Sequence, residues 1–289
     1  MYKKVLLAVC LFVVLLNSIQ AQDIDSKIDD IKTALINGNY EIGLNECKAL
    51  IESNLCNTKQ LAVLYGYAGL SSEVLKQKTE AINYYKKAVE MQMPQLDVYD
   101  KLISLSKKEK NDSIYEFALL EKARAFPEYK KDIAESLAFQ YLNTVQYEKL
   151  LNTVNELLNW NSNDINALYF KGIALQNLNQ VEEAKKYYSE VIKLDTEHLG
   201  ANIGLGMILY NEGSEIFAYR KKVYESKAKP DGIDYLNYNN GIEEGKDLYR
   251  QALPYLLKAN ESGSYPDLKQ ILFNTYTRLE QKQKREAYR

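Results

Sequence analysis

The chain has 289 residues, of which 37 are Lys or Arg and 39 are Asp or Glu, with a single histidine and five prolines. A balance of −2 lacks the basic excess that neutralises phosphates, so nucleic acid is not an expected partner. With one histidine, and no histidine near Cys47 or Cys56, neither a positioned general base nor a metal site is expected, and no cofactor is implied.

Met1 to Ala21 combines Lys3 and Lys4, an unbroken apolar run from Val5 to Leu16, and the small-residue ending Ile19-Gln20-Ala21. This is the pattern of a secretory signal peptide cleaved after Ala21. The apolar run falls short of the ~20 residues that cross a bilayer, so no transmembrane anchor is expected after cleavage. Cys10 lies inside the run behind bulky Val9, which argues against lipidation. Lys3 and Lys4 leave with the signal, and the remaining chain carries −4. Its two thiols, Cys47 and Cys56, can pair in an oxidising exported compartment only if a helix ends between them. A continuous helix would hold them ~13 Å apart. Two free, half-buried thiols are the preferred reading.

Beyond the signal the chain repeats. Leu150, Val154 and Leu157 are followed 34 residues on by Ala184, Tyr188 and Val191, and Ala138 by Gly172 and then Gly206 at the same interval. The frame of a small residue, a large one four later and an apolar one three later recurs as Gly43/Cys47/Leu50, Ala81/Tyr85/Ala88 and Ala252/Leu256/Ala259. Residues spaced by four and then three share one helix face, so the small residue admits a neighbouring helix and the large one fills the space behind it. Turn signals stand ahead of the frame, Asn37-Gly38-Asn39 before Gly43 and Asn177-Leu178-Asn179 before Ala184. Each unit is then a helical hairpin that cannot cover its own apolar faces, and such units must stack.

A 34-residue helix pair with these small and aromatic positions resembles the tetratricopeptide repeat. The best match is Ile165 to His198, with Leu168, Gly172, Leu175, Ala184, Tyr188 and Val191 at the signature sites and Thr196 in place of the usual proline. The resemblance implies an all-α, right-handed superhelical solenoid of antiparallel helix pairs. After a signal peptide at 1–21, five pairs fill 22–198, at about Ile24 to Leu55, Ala62 to Gln95, Leu96 to Glu128, Lys131 to Asp164 and Ile165 to His198. The third, with its polar break from Ser106 to Asp112, is placed by phase more than by residues. A sixth pair covers 199–265, and a closing helix with a polar tail covers 266–289.

The sixth pair is interrupted. Ala252 stands 39 residues after Gly213, where a turn is expected, so an insertion of about 214–246 is read as two lengthened helices. Between them Lys229-Pro230-Asp231-Gly232 and Asn239-Asn240-Gly241 bracket a loop carrying Tyr235 and Tyr238, with helix resuming near Ile242. This arm either docks a partner or caps the stack. The stretch Ala252 to Asn260 and the closing helix are similar to the ends of exported Bacteroidetes repeat proteins, which implies a Gram-negative periplasm and no particular activity.

Catalytic readings fail on the residues. His198 sits at a repeat end where a polar helix terminus is expected, Gly204-Leu205-Gly206 has no preceding strand and lacks the third glycine of a nucleotide loop, and Glu182-Glu183 and Glu243-Glu244 are adjacent pairs on solvated helix surfaces. The expectation is a scaffold rather than an enzyme. In the family the first helix of each pair lines a concave groove, which implies contacts from Tyr67, from Glu135, Phe139 and Asn143, from Tyr169, Ile173 and Asn177, and from Met207, Tyr210 and Asn211. Such an aromatic and amide-lined trough suits a protein or peptide segment. Tyr169 and Ile173 stand where the family's chaperone-binding members place lysines for a C-terminal carboxylate, so carboxylate capture is not expected. Packing of these aromatics between helices, Phe139 and Ile173 above all, stays open. The alternative from another class is a carbohydrate or peptidoglycan-binding module acting through exposed Tyr235 and Tyr238.

Overall fold

The computed structural model describes residues 23–289, and these form helices and turns with no strand among them. The expected signal peptide lies outside the described residues. The helices are α1 (residues 23–36), α2 (Tyr40–Glu52), α3 (Thr58–Val74), α4 (Lys78–Glu90), α5 (Leu96–Lys108), α6 (Asp112–Ala125), α7 (Lys130–Asn143), α8 (Tyr147–Trp160), α9 (Ile165–Asn177), α10 (Val181–Leu194), α11 (Leu199–Glu225), α12 (Gly232–Glu261), α13 (Asp267–Arg278) and α14 (Lys282–Glu286). Two compact units divide them, one ending at Ile133 and one spanning Ala134–Arg289, with the boundary inside α7. Consecutive helices pack pairwise within each unit, foremost α3 on α4 in the first and α11 on α12 in the second.

The repeating frame lies in the cores. In the first unit Ala81, Tyr85 and Ala88 of α4 are buried to 2% exposure or less, and in the second so are Ala184, Tyr188 and Val191 of α10 and Ala252, Leu256 and Ala259 of α12. Leu150, Val154 and Leu157 of α8 are buried to 3% exposure or less. The large residue fits because the opposing first helix has no side chain at the point of contact. A Cβ on Gly172 would stand 2.7 Å from the Tyr188 ring, and one on Gly69 would stand 2.5 Å from the Tyr85 ring. Real Cβ atoms do not approach so closely, so both positions require glycine for helix packing.

Six first helices end in one backbone motif. Gly38, Lys76, Lys110, Val145, Asn179 and Glu280 adopt positive φ. The next residue returns its N–H to the carbonyl five positions back: Asn39 to Ala34, Gln77 to Ser72, Asn111 to Ser106, Gln146 to Tyr141, Gln180 to Leu175 and Gln281 to Tyr276, all at 2.8–2.9 Å. This is a Schellman turn, which satisfies carbonyls that a helix end otherwise leaves open. Its recurrence at Glu280 makes α13 and α14 a further hairpin of the same construction.

The third pair keeps the turn and loses the frame. Tyr115 and Lys122 of α6 are only half-buried, and Lys122 is held by Asp100 at 2.6 Å and by the Tyr129 ring at 4.6 Å. Its core comes instead from Tyr99, whose ring meets Phe126 edge-on at 5.3 Å, and from Leu102, Leu105 and Ala118.

The sixth pair corrects the sequence reading in two places. Gly213, expected at a turn, is buried inside α11, which runs on for 27 residues, and no loop carries Tyr235 or Tyr238, because α12 is helical from Gly232 onward for 30 residues. The connection is shorter, Ser226 to Asp231, and Asp231 starts α12 by accepting 2.8 Å bonds from the Ile233 and Asp234 amides. The glycines that read as turn signals are contact points. A Cβ on Gly213 would meet the Gly245 carbonyl at 3.0 Å, Phe217 lies on Gly245, and Arg220 lies across Gly241. The Ser214 and Tyr249 hydroxyls meet at 2.8 Å beside this crossing. Pro254 lies inside α12 and leaves one helical hydrogen bond unmade. Leu268 and Leu272 of α13 complete the core around Leu256 and Ala259. No helix among the described residues is long and apolar enough to cross a membrane.

Candidate functional site

Helix α7 turns Ala134, Leu137, Ala138 and Tyr141 inward, each at 6% exposure or less. That leaves Glu135, Phe139 and Asn143, spaced by four, as an exposed stripe. Phe139 is 59% exposed, which settles its open packing question: it does not sit between helices. Its ring lies 6.3 Å from that of Phe170 on α9, inclined at 58°. Between them opens a cavity of about 290 Å³, with Glu135, Asp164 and exposed Asn166 around it and buried Ala138, Leu157 and Ala167 beneath. Asp164 is fixed as the N-cap of α9, accepting from the Ala167 amide at 3.0 Å.

Phe170 was not among the residues expected to line a groove. It precedes Ile173 by three positions, on the same side of the helix, and that spacing is the signal that would have found it.

The tyrosines of the expected groove are mostly packing residues. The Tyr169 ring stands 4.7 Å from His198 and 6.1 Å from both Tyr188 and Phe170, and its hydroxyl lies over the bare Cα of Gly200. Burial, with Tyr265 nearby, raises its phenol above the usual range. It is a wedge joining α9, α10 and the start of α11. His198 Nδ1 accepts from the Ala201 amide at 3.1 Å and so caps α11. Ile173, Met207 and Tyr210 are half-buried against the same core, and Tyr210 meets Tyr249 edge-on at 5.4 Å. Asn177 and Asn211 are exposed, although the Asn177 amide already donates to the Ile173 carbonyl at 2.9 Å. Tyr67, in the first unit, is half-buried against the core of α1 to α3, and burial raises its phenol. Of the expected groove residues, Glu135 and Phe139 line this cavity together with Asp164 and Phe170.

On the long hairpin Tyr235 is 57% exposed, whereas Tyr238 is half-buried against Tyr224 at 5.0 Å. Lys227 and Asp234 join the two helices near their ends at 2.9 Å, and each is shifted toward its charged form by the hydrogen bond between them.

Cys47 and Cys56 are free. The helix does end between them, at Glu52, but Cys47 is fully buried rather than half-buried, and burial with the charge of Glu46 pushes its thiol up to about 12. Cys56 turns instead to the Leu50 carbonyl, 3.6 Å away. No group of three or more His, Cys, Asp or Glu positioned to hold a metal ion occurs among the described residues.

Residues 68–92 and 165–198 match the tetratricopeptide repeat family, the second stretch covering α9 and α10 together. No curated protein matches the chain. Among solved structures it is similar to a protein of Bacteroides ovatus, at 17% identity and a TM-score of 0.48 over 76% of this chain and 98% of that one. It is also similar to the C-terminal part of a TPR repeat-containing protein from Cytophaga hutchinsonii, at 11% identity and a TM-score of 0.49 over 90% and 92% of the two chains. A third is YrrB, described as a TPR protein with an unusual peptide-binding site, at 17% identity and a TM-score of 0.39 over 76% and 98%.

Proposed function

We propose that this chain, which matches the tetratricopeptide repeat family at residues 68–92 and 165–198, is an exported, non-catalytic scaffold that holds a segment of another protein against the α7 and α9 surface, within a Gram-negative envelope assembly. The observation that carries the reading is Phe139: a large aromatic ring left 59% exposed on a helix whose other face is fully packed, beside a second phenylalanine and over a cavity. Aromatic side chains in such settings are the anchors that dominate protein interfaces. Export rests on the signal-like sequence from Met1 to Ala21.

Capture of envelope proteins on the purified chain tests the binding surface. A partner retained by the native protein and lost on Phe139→Ala supports it, and equal retention by the variant removes the site from this surface. Phe139 is the residue to change because Tyr169 and Tyr210 hold helices together, so altering them would disturb the fold as well. Sequencing the N-terminus of the protein from the cell tests export, which predicts a mature chain beginning at Gln22.

A second reading, carbohydrate binding through the hairpin, keeps Tyr235 in its favour, since that ring is 57% exposed. Retention on immobilised peptidoglycan that disappears with Tyr235→Ala would move the assignment to the hairpin.

A further inference from the structure

The long hairpin ends in an apolar surface edged by cations. Tyr219 and Val223, four apart on α11, and Ile233 and Asn237, four apart on α12, form two rows along one side of it, and a cleft opens between Val223 and Asn237. Leu236 follows Ile233 by three positions and widens the second row. The four apolar members are exposed, from 41% at Val223 to 69% at Ile233, and the core around Leu256 and Leu272 includes no residue between Tyr219 and Tyr238. Large apolar side chains gathered in water at one place mark an interaction surface.

Charge identifies what meets it. From Tyr219 to Tyr238 there are five cations and three carboxylates, in a chain whose carboxylates outnumber its cations. Arg220 pairs with Glu244 at 3.5 Å, Lys221 with Glu225 at 3.8 Å and Lys227 with Asp234 at 2.9 Å, while Asp231 is occupied in capping α12. Lys222 and Lys229 take part in none of these pairs and are exposed. Lys222 stands three positions after Tyr219, and Lys229 lies in the connection ahead of Ile233. We propose that the hairpin end rests on the surface of an anionic lipid bilayer, with Val223, Ile233 and Leu236 entering its boundary and Lys222 and Lys229 at the lipid phosphates. The aliphatic side chains leave water there, the Tyr219 ring and hydroxyl suit headgroup depth, and lysine stems cross apolar surface while the ammonium stays among the phosphates. The stripe that begins at Ile233 and Leu236 continues through Asn240 to Glu243 and Asp247, which are bound to Lys246 and Arg250, so the apolar contact is confined to the hairpin end. Neither helix is long and apolar enough to cross the bilayer, which makes this a surface contact.

Co-sedimentation of the chain from Gln22 onward with lipid vesicles tests this, since that start removes the apolar run Val5 to Leu16, which would bind lipid by itself. Vesicles of phosphatidylcholine and phosphatidylglycerol in equal parts should carry the protein down, and phosphatidylcholine alone should bind at least fivefold less. Ile233→Ser combined with Leu236→Ser should weaken binding at least tenfold, and Lys222→Gln combined with Lys229→Gln at least fivefold. All four positions are exposed, so both variants should keep the native Tm, which separates lost binding from lost folding. Tyr235 stands two positions after Ile233 and faces away from this row, so Tyr235→Ala should change vesicle binding less than twofold, in contrast to its expected effect on peptidoglycan retention. Failure to bind the anionic vesicles, equal binding to the neutral ones, or binding that survives the loss of Ile233 and Leu236 would overturn the proposal. So would a dimer in sedimentation velocity that the same double substitution dissolves, which would assign the patch to a second copy of the chain.

Discussion

Tyr188 stands on Gly172: the ring edge occupies the space a Cβ would need, 2.7 Å from where that atom would lie, and the hydroxyl donates to Gln176 Oε1 at 2.8 Å. Tyr85 repeats the arrangement in the first unit, on Gly69 and bonded to Glu73 Oε2 at 2.9 Å. Gly172→Ala should therefore destabilise the protein. Overpacking costs about 1–3 kcal/mol, and the roughly 1 kcal/mol of helix propensity that alanine brings offsets only part of it. Thermal unfolding should show a lower Tm. Gly232→Ala, where a methyl group meets nothing within 4 Å, should leave Tm unchanged or slightly raised.

The two hydroxyls differ in what accepts them. Tyr188→Phe should cost about 0.5–1.5 kcal/mol, the net worth of a neutral hydrogen bond. Tyr85→Phe should cost more, because a bond to a carboxylate is the stronger kind. Urea titration of both variants checks the order, and equal losses would show that the ring rather than the hydroxyl carries the interaction.

Val145 holds a φ of +59° with its side chain 63% exposed, so a β-branched residue occupies a left-handed position and gains no burial from it. Val145→Gly and Val145→Asn should both stabilise the protein, by about 1 kcal/mol, since a left-handed L-residue costs roughly 1–2 kcal/mol. The measurement is the midpoint of chemical unfolding.

Cys47 makes stability depend on alkaline pH. The native thiol keeps its proton up to about 12, whereas an unfolded cysteine releases its proton near ~8.5. The contribution is thus complete below the unfolded value and declines as pH rises through the window toward the folded one. Buried Tyr85 and Tyr188 are raised as well and act in the same direction at higher pH. Cys47→Ala should flatten the fall in unfolding free energy between pH 8 and 10. In the native protein at pH 8 a thiol reagent should modify Cys56 and spare Cys47 until the chain unfolds.

The helix pairs are legible because their frame residues do a single physical task. Ala184, Tyr188 and Val191 share one buried face, and so do Ala252, Leu256 and Ala259, so spacing alone identifies the inward side. The long hairpin is not legible in the same way. Asn239-Asn240-Gly241 has the composition of a turn, but Gly241 lies bare beneath Arg220 in mid-helix; glycine serves chain reversal and close helix contact alike, and only the partner helix distinguishes them. The surface is half legible for a similar reason. Phe139 and Tyr169 both read as large aromatics beside packing positions. Gly200, a helix away, gives Tyr169 somewhere to sink, and no such opening receives Phe139. The turns are legible where Gly38 and Asn179 hold the left-handed position and leave little trace elsewhere, because the same position holds Lys76, Lys110 and Val145.

The length of α11 has one more effect. It exceeds α9 by 14 residues, an extension of about 21 Å, and every residue from Glu225 to Ile233 at its end is exposed. A protease should cut there first. The nick would not release a domain, because Gly213, Phe217 and Arg220 on one fragment stay interlocked with Gly245 and Gly241 on the other. Limited digestion should yield two bands on a denaturing gel and one particle on a sizing column, which makes the hairpin end a natural place to split the protein into halves that reassemble.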